Sequence, residues 1–203
     1  MKKILFLACC GIFFCFSAKA DQADLTKIEN YLNNLSSLKG GFVQMASNGG
    51  TAEGKIYISK PSKIRMEYTA PEHLLIVGNG DYIIYNDKEL DQVTHIDYKD
   101  IPATMILTKK ISFNSGDLKV IDFYRDSGQI AVTVETPKTP NVKPITLIFD
   151  QEPFRLKQWK VIDPQNIEIT VSLFDIEQNS ELDGSLFEFD KNQGKTRSKT
   201  QRK

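Results

Sequence analysis

The chain has 203 residues, with 26 basic and 26 acidic side chains, 40% hydrophobic residues and three cysteines, Cys9, Cys10 and Cys15. The basic residues are concentrated at the two ends, which leaves residues 21–190 with 17 basic against 26 acidic side chains, a net of −9. An acidic body argues against nucleic acid as a partner, because phosphate recognition needs clustered Lys and Arg. All three cysteines precede residue 16, so no disulfide braces the chain after that point, and a single hydrophobic core must carry about 180 residues.

Lys2 and Lys3 open the chain, an apolar run occupies 4–16, and Ser17-Ala18-Lys19-Ala20 follows. This is the layout of a secretory signal peptide over 1–20, with cleavage after Ala20 and export of the remainder. The run is shorter than the ~20 residues that span a bilayer. The next element is a helix over 24–38, predicted from Leu25, Ile28, Tyr31, Leu32, Leu35 and Leu38 on one face. Asp21 or Asp24 is placed to cap it, and Gly40-Gly41 to end it.

From there the pattern is one of strands. Stretches 41–47, 54–59, 63–69, 73–77, 82–85 and 90–98 precede a short apolar segment at 101–108. Stretches 117–125, 129–135, 145–150, 155–163 and 167–175 follow it. The breaks are turn sequences such as Asn48-Gly49-Gly50, Gly78-Asn79-Gly80-Asp81 and Asp126-Ser127-Gly128. Pro102 suits the first turn of a short helix that presents Met105, Ile106 and Leu107. The whole reads as a meandering antiparallel sheet or barrel in one domain over 21–190. Residues 191–203 form a tail with six basic residues and no acid.

The sequence carries no marked catalytic constellation. Two histidines, His73 and His95, lack metal-ligand spacing, and no P-loop, dinucleotide fingerprint or nucleophile elbow occurs. Asp87, Glu89 and Asp91 lack the glycine and distal glutamate of a calcium loop. We therefore assign no catalytic residue, metal or cofactor. Period-two alternation instead puts Ile56, Ile58, Ile64, Met66, Tyr68, Ile130, Val132, Val134, Ile145, Leu147, Phe149, Ile167, Ile169 and Val171 on one inner face. One helix and one short segment are little cover for so wide a face. Two solutions are open: the sheet curls until its own side chains fill the interior, or an apolar cavity remains for a ligand.

Several stretches resemble a known family. Gly41-Phe42-Val43-Gln44 is similar to a strand opening of LolA-type outer-membrane lipoprotein carriers. So is the run from Gly54 to Tyr68, with Pro61 and Arg65 in place. Leu75-Ile76-Val77 with Gly80, Tyr85-Asn86, Gln92-Val93, Phe149-Asp150, Leu156, Trp159, Val161-Ile162-Asp163 and Phe187-Glu188-Phe189 continue the likeness across the chain. The resemblance implies an incomplete, unclosed antiparallel β-barrel of about eleven strands, mainly β, with a helical lid over an apolar cavity.

It implies a periplasmic, non-enzymatic monomer that holds lipoproteins by their acyl chains. Such a carrier takes them from an inner-membrane lipoprotein-releasing ABC transporter and passes them to an outer-membrane lipoprotein acceptor. Joined to the alternation above, it assigns lipid binding to Leu32, Leu35, Phe42, Ile56, Ile58, Ile64, Met66, Tyr68, Met105, Ile130, Val132 and Leu147. Lys60 stands where the family usually has arginine, and is assigned as the lid contact. A lysine offers a point charge instead of a rigid fork of donors. The alternative reading is a related periplasmic module that binds another amphiphile or senses lipoproteins on the same fold.

Overall fold

The computed structural model describes residues 22–126 and 128–190; the signal segment, Asp21 and the basic tail lie outside the described residues. The first element, α1 (Gln22–Asn34), buries Ile28 and Leu32 completely. It stops four residues short of the predicted end, and β1 (Ser37–Ala46) begins almost at once. Leu35 and Leu38 are buried as expected, but Leu38 reaches the interior from a strand, paired with Ile58. Apolar residues three apart suit the end of a helix, yet pairing along β1 satisfies the backbone just as fully.

Gly40 and Gly41 are not a helix stop. They lie inside β1 at a bulge, where a Cβ on Gly41 would strike the Phe174 ring of the neighbouring strand. Asp24 lies within the first turn of α1, and its carboxylate meets Arg125 at 3.1 Å.

The strands then run in chain order: β2 (Thr51–Ser59), β3 (Lys63–Tyr68), β4 (Leu74–Asn79), β5 (Tyr82–Asp87) and β6 (Gln92–Asp97). Two short 3₁₀ turns follow, Tyr98–Asp100 and Pro102–Leu107; the second is here called the lid turn. The chain returns through β7 (Lys119–Asp126), β8 (Gln129–Glu135), β9 (Ile145–Gln151), β10 (Phe154–Ile162) and β11 (Glu168–Gln178). All eleven form one antiparallel sheet in the order β6-β5-β4-β3-β2-β1-β11-β10-β9-β8-β7. Two meanders are thus joined at the β1–β11 seam. The barrel is not closed, because β6 and β7 each end the sheet.

The concave face holds the core. Phe42, Ile56, Ile58, Ile130, Val132, Leu147 and Phe149 are essentially inaccessible there, together with Ile28 and Leu32 from α1. Of the predicted inner face, only Ile167 lies outside the core and the residues packed on it.

A second, smaller apolar cluster lies on the outer face. Register places Leu75, Val77 and Ile84 on the side opposite Ile76 and Ile83, yet all three are buried. The segment after β11 covers them. It is pinned to the β1 end by Ser37, whose hydroxyl donates to the Ser180 carbonyl at 2.5 Å, and by Asn179, which accepts from the Ser36 amide at 2.8 Å. A 3₁₀ turn (Gly184–Phe187) then packs on β3 and β4 with Phe187 buried, and Arg65 donates to the Leu186 carbonyl at 3.0 Å. Covering on both faces explains why Leu74–Val77 reads as a continuous apolar run instead of an alternation. Replacing Phe187 with Ala should therefore lower the free energy of unfolding by about 3 kcal/mol, read from urea denaturation with an unchanged m-value; no loss would show that this segment is not a structural strap.

Candidate functional site

α1 covers one half of the concave face and fills it. Tyr31 meets Phe149 and Phe154 edge-on at 5.6 and 5.7 Å, and those two rings stack at 5.3 Å. Lys27 Nζ lies 4.3 Å from the centre of the Phe154 ring. The helix is tied down at both ends, by Asp24 to Arg125 of β7 and by its Leu32 carbonyl, which accepts from Lys60 Nζ at 2.7 Å. Burial pulls the Lys60 amino group below the usual lysine range. Lys60 thus links the β2–β3 turn to the last turn of the helix.

The lid turn covers the other half and leaves it partly empty. A cavity of about 140 Å³ remains beneath it. Ile64, Met66 and Tyr68 of β3 form one wall, with Ile76, Ile83 and Tyr85 behind them. Trp159, Val161, Ile169 and Val171 form the facing wall, and Gln44 projects from β1 between the two. Ile101, Pro102, Ala103, Thr104 and Leu107 make the roof. Tyr68 donates to Gln44 Oε1 at 2.8 Å. Burial pushes the Tyr68 and Tyr85 phenols above their ordinary range, so both are neutral donors at any physiological pH.

On the far side of the roof lies an open groove of about 320 Å³. Ile101, Pro102 and Thr104 line both spaces, so the lid turn is a partition one residue layer thick. It is lightly held. Leu107 accepts from the Ser62 amide at 2.9 Å, and Tyr98 donates to the Ser62 carbonyl. The chain beyond it is tied to α1 instead: Asn33 exchanges two hydrogen bonds with the Ile111 backbone, at 2.8 and 2.7 Å, and Glu29 accepts from the Phe113 amide.

The predicted lipid-binding residues divide between these regions. Ile64, Met66 and Tyr68 come together on the cavity wall. Leu32, Leu35, Phe42, Ile56, Ile58, Ile130, Val132 and Leu147 are not on that wall; they are packed in the closed core, 0–3% exposed. Met105 faces the groove on the outer side of the lid turn. The reason is curvature: alternation identifies the inward face but not which inward residues meet α1 and which meet the thinner lid. Gln44, Tyr85 and Trp159 were missing from the predicted wall. Gln44 was legible as an inward position, since it lies two residues from Phe42 on the same strand. Among the described residues no cluster of His, Cys, Asp or Glu is arranged to hold a metal ion.

An open sheet curved around an apolar cavity, covered by a helix and a short 3₁₀ turn, defines a half-barrel of the kind that binds apolar ligands. A family model described as "Outer membrane lipoprotein carrier protein LolA" matches residues 33–190, and the chain belongs to that family. An uncharacterized protein of Rickettsia prowazekii is 28% identical over 194 residues, covering 93% of this chain and 88% of its own. An outer-membrane lipoprotein carrier protein of Pseudomonas aeruginosa is 26% identical, with 93% of each chain covered. A solved DUF1329 family protein from Desulfovibrio piger shares the fold at a TM-score of 0.51 and 9% identity, over 81% of this chain and 95% of its own.

Register gives a direct check of the wall. Ile64 faces the cavity, while Arg65 faces outward to Glu67 and Leu186. A photo-crosslinking residue at position 64 should capture a bound acyl chain and one at 65 should not. Equal capture at both would mean that the chain lies elsewhere.

Proposed function

We propose that the mature chain is a periplasmic carrier that holds lipoproteins by their acyl chains and moves them from an inner-membrane lipoprotein-releasing ABC transporter to an outer-membrane acceptor. It acts by binding alone, as a monomer, with no cofactor. The domain from 21 to 190 carries the activity, and 1–20 is the export signal removed after Ala20. Leu32, Leu35 and the other core residues named above would join the wall only if the helix moves; Ile64, Met66 and Tyr68 line it already.

The observation that carries this reading is the partition. The cavity under the lid turn is smaller than the roughly 300–1,000 Å³ typical of ligand pockets, but cavity and groove together reach that range once the turn moves aside. The energies also balance. A long acyl chain gains on the order of 10 kcal/mol at about 0.8 kcal/mol per methylene buried. Displacing the lid exposes Met105, Ile106 and Leu107, which cost about 1.5–3 kcal/mol each. Loading therefore exchanges one set of apolar contacts for another, and the net affinity stays low enough to permit release. Met66, unbranched and flexible, lets the wall adapt to chains of variable length.

The test locks the roof. Because no cysteine follows Cys15, a pair introduced at Ser62 and Thr108, flanking the Ser62–Leu107 hydrogen bond, will be the only thiols in the mature chain. Oxidation should block uptake of lipoproteins from inner-membrane vesicles, and reduction should restore it. Equal uptake in both states would show that the lid turn is fixed core. In the same assay Lys60→Leu removes the contact to the Leu32 carbonyl and should change the transfer rate several-fold while the far-UV spectrum stays constant. Lys60→Arg should preserve transfer, since its fork reaches the same carbonyl.

A further inference from the structure

The cavity wall carries a joined polar pair with two donor protons beyond the one that joins it. Tyr68 donates to Gln44 Oε1 at 2.8 Å, and among the described residues neither side chain has another hydrogen-bond partner. A primary amide and a phenol together carry three donor protons. Whichever way the amide faces, one proton joins the pair and two are left over. A hydrocarbon chain cannot accept them, and an unpaired donor in an apolar site is costly.

The pair is also held in place. Gln44 faces inward opposite Ala52 and Val171, and Tyr68 faces inward opposite Gly54. Gly54 has no side chain to intervene, so the Phe42 and Tyr68 rings meet edge-on at 5.0 Å. A Cβ at residue 54 would run into that Phe42 ring. Both donors stand at one end of the sheet: Tyr68 is the last residue of β3, and Gln44 lies two residues before the end of β1. Wholly apolar wall residues, Ile64, Met66 and Ile76, lie deeper along the strands.

A donor pair at the rim with hydrocarbon walls beyond it matches the head of an acyl chain. We propose that Gln44 and Tyr68 together receive the carbonyl oxygen of a bound acyl group, making the cavity selective for acyl esters and amides over alkyl chains of equal length. The inference deepens the carrier reading and rests on it. The same carbonyl chemistry is offered by a free fatty acid, and the test separates the two sources.

Two synthetic lipopeptides with the same peptide serve as probes, a dipalmitoyl-glyceryl cysteine peptide and its dialkyl ether, in which each ester carbonyl is a methylene. The protein should bind the ester roughly tenfold more tightly, the size of a net hydrogen bond or two. Gln44→Leu and Tyr68→Phe should each reduce the ester-to-ether ratio, and the double variant should bring it near one. Tyr68→Phe keeps the ring and so guards against loss of fold. With ¹³C-labelled carbonyls, the bound ester stretch should lie at lower frequency in the wild-type protein than in the double variant, a signature that altered packing alone does not give. Equal affinities in the wild type, or a ratio unmoved by the double variant, overturn the inference and leave the carrier reading intact. If neither lipopeptide binds but palmitate does, in a Gln44-dependent way, the carbonyl contact stands and the carrier reading fails. If no probe binds, both fail.

Discussion

The structure depends on a mismatch between a wide sheet and the little that covers it. Eleven strands spaced about 4.8 Å apart would be roughly 50 Å across if flat, while α1, with 13 residues, is about 20 Å long and 10–12 Å wide. Twist and curvature bring the two meanders to face one another, but no closing hydrogen bonds join β6 to β7. The helix therefore packs one half densely, with the Tyr31, Phe149 and Phe154 rings interlocked, and the other half is left to six residues of 3₁₀ turn. A short segment of that kind has little stability without packing. Its own packing comes from Met105, Ile106 and Leu107, which are buried in the core.

The ties follow the same division. α1 is held at its start by Arg125 and at its end by Lys60, and through Asn33 and Glu29 it holds the chain that leaves the lid turn. The lid turn itself is hydrogen-bonded to the sheet at Ser62, and Met105, Ile106 and Leu107 pack it into the core. Ser62 has a positive φ of 64°, a backbone shape uncommon for a residue with a side chain. Lys60 and Ser62 flank Pro61 in the same turn. One β2–β3 connection thus touches both covering elements.

The seam between the two meanders is reinforced from outside. β1 and β11 pair along nearly their whole length, and Asn179 and Ser180 continue that pairing into hydrogen bonds with Ser36 and Ser37. From there the chain crosses to β3 and β4 and seals the outer cluster with Phe187. The two meanders are separated in sequence by the lid turn and the segment after it, and the strap reinforces the β1–β11 side of the half-barrel.

Much of the fold was legible in the sequence. Turn residues between runs were enough to number the strands, and period-two alternation, as in Lys63–Tyr68 and Gln129–Glu135, chose the inward face of five of them. The sequence singled out Lys60 beside Pro61, and the structure bonds its amino group to the Leu32 carbonyl of α1. The end of α1 was not legible, because Leu35 and Leu38 are buried by either a helix or a strand. The use of Gly40 and Gly41 was also hidden: a glycine pair after a helix signals a stop, and only the Phe174 ring lying across β1 gives it another purpose. The sequence by itself determined which side chains face inward, since that is a property of one strand and its pleat. Only the tertiary structure decided that Ile56 and Val132 end in closed core while Ile64 and Met66 border a cavity, and that Gln44 and Tyr68 meet. Those outcomes depend on how far the sheet curves and what lies above each strand, and curvature is set by contacts between residues more than a hundred positions apart.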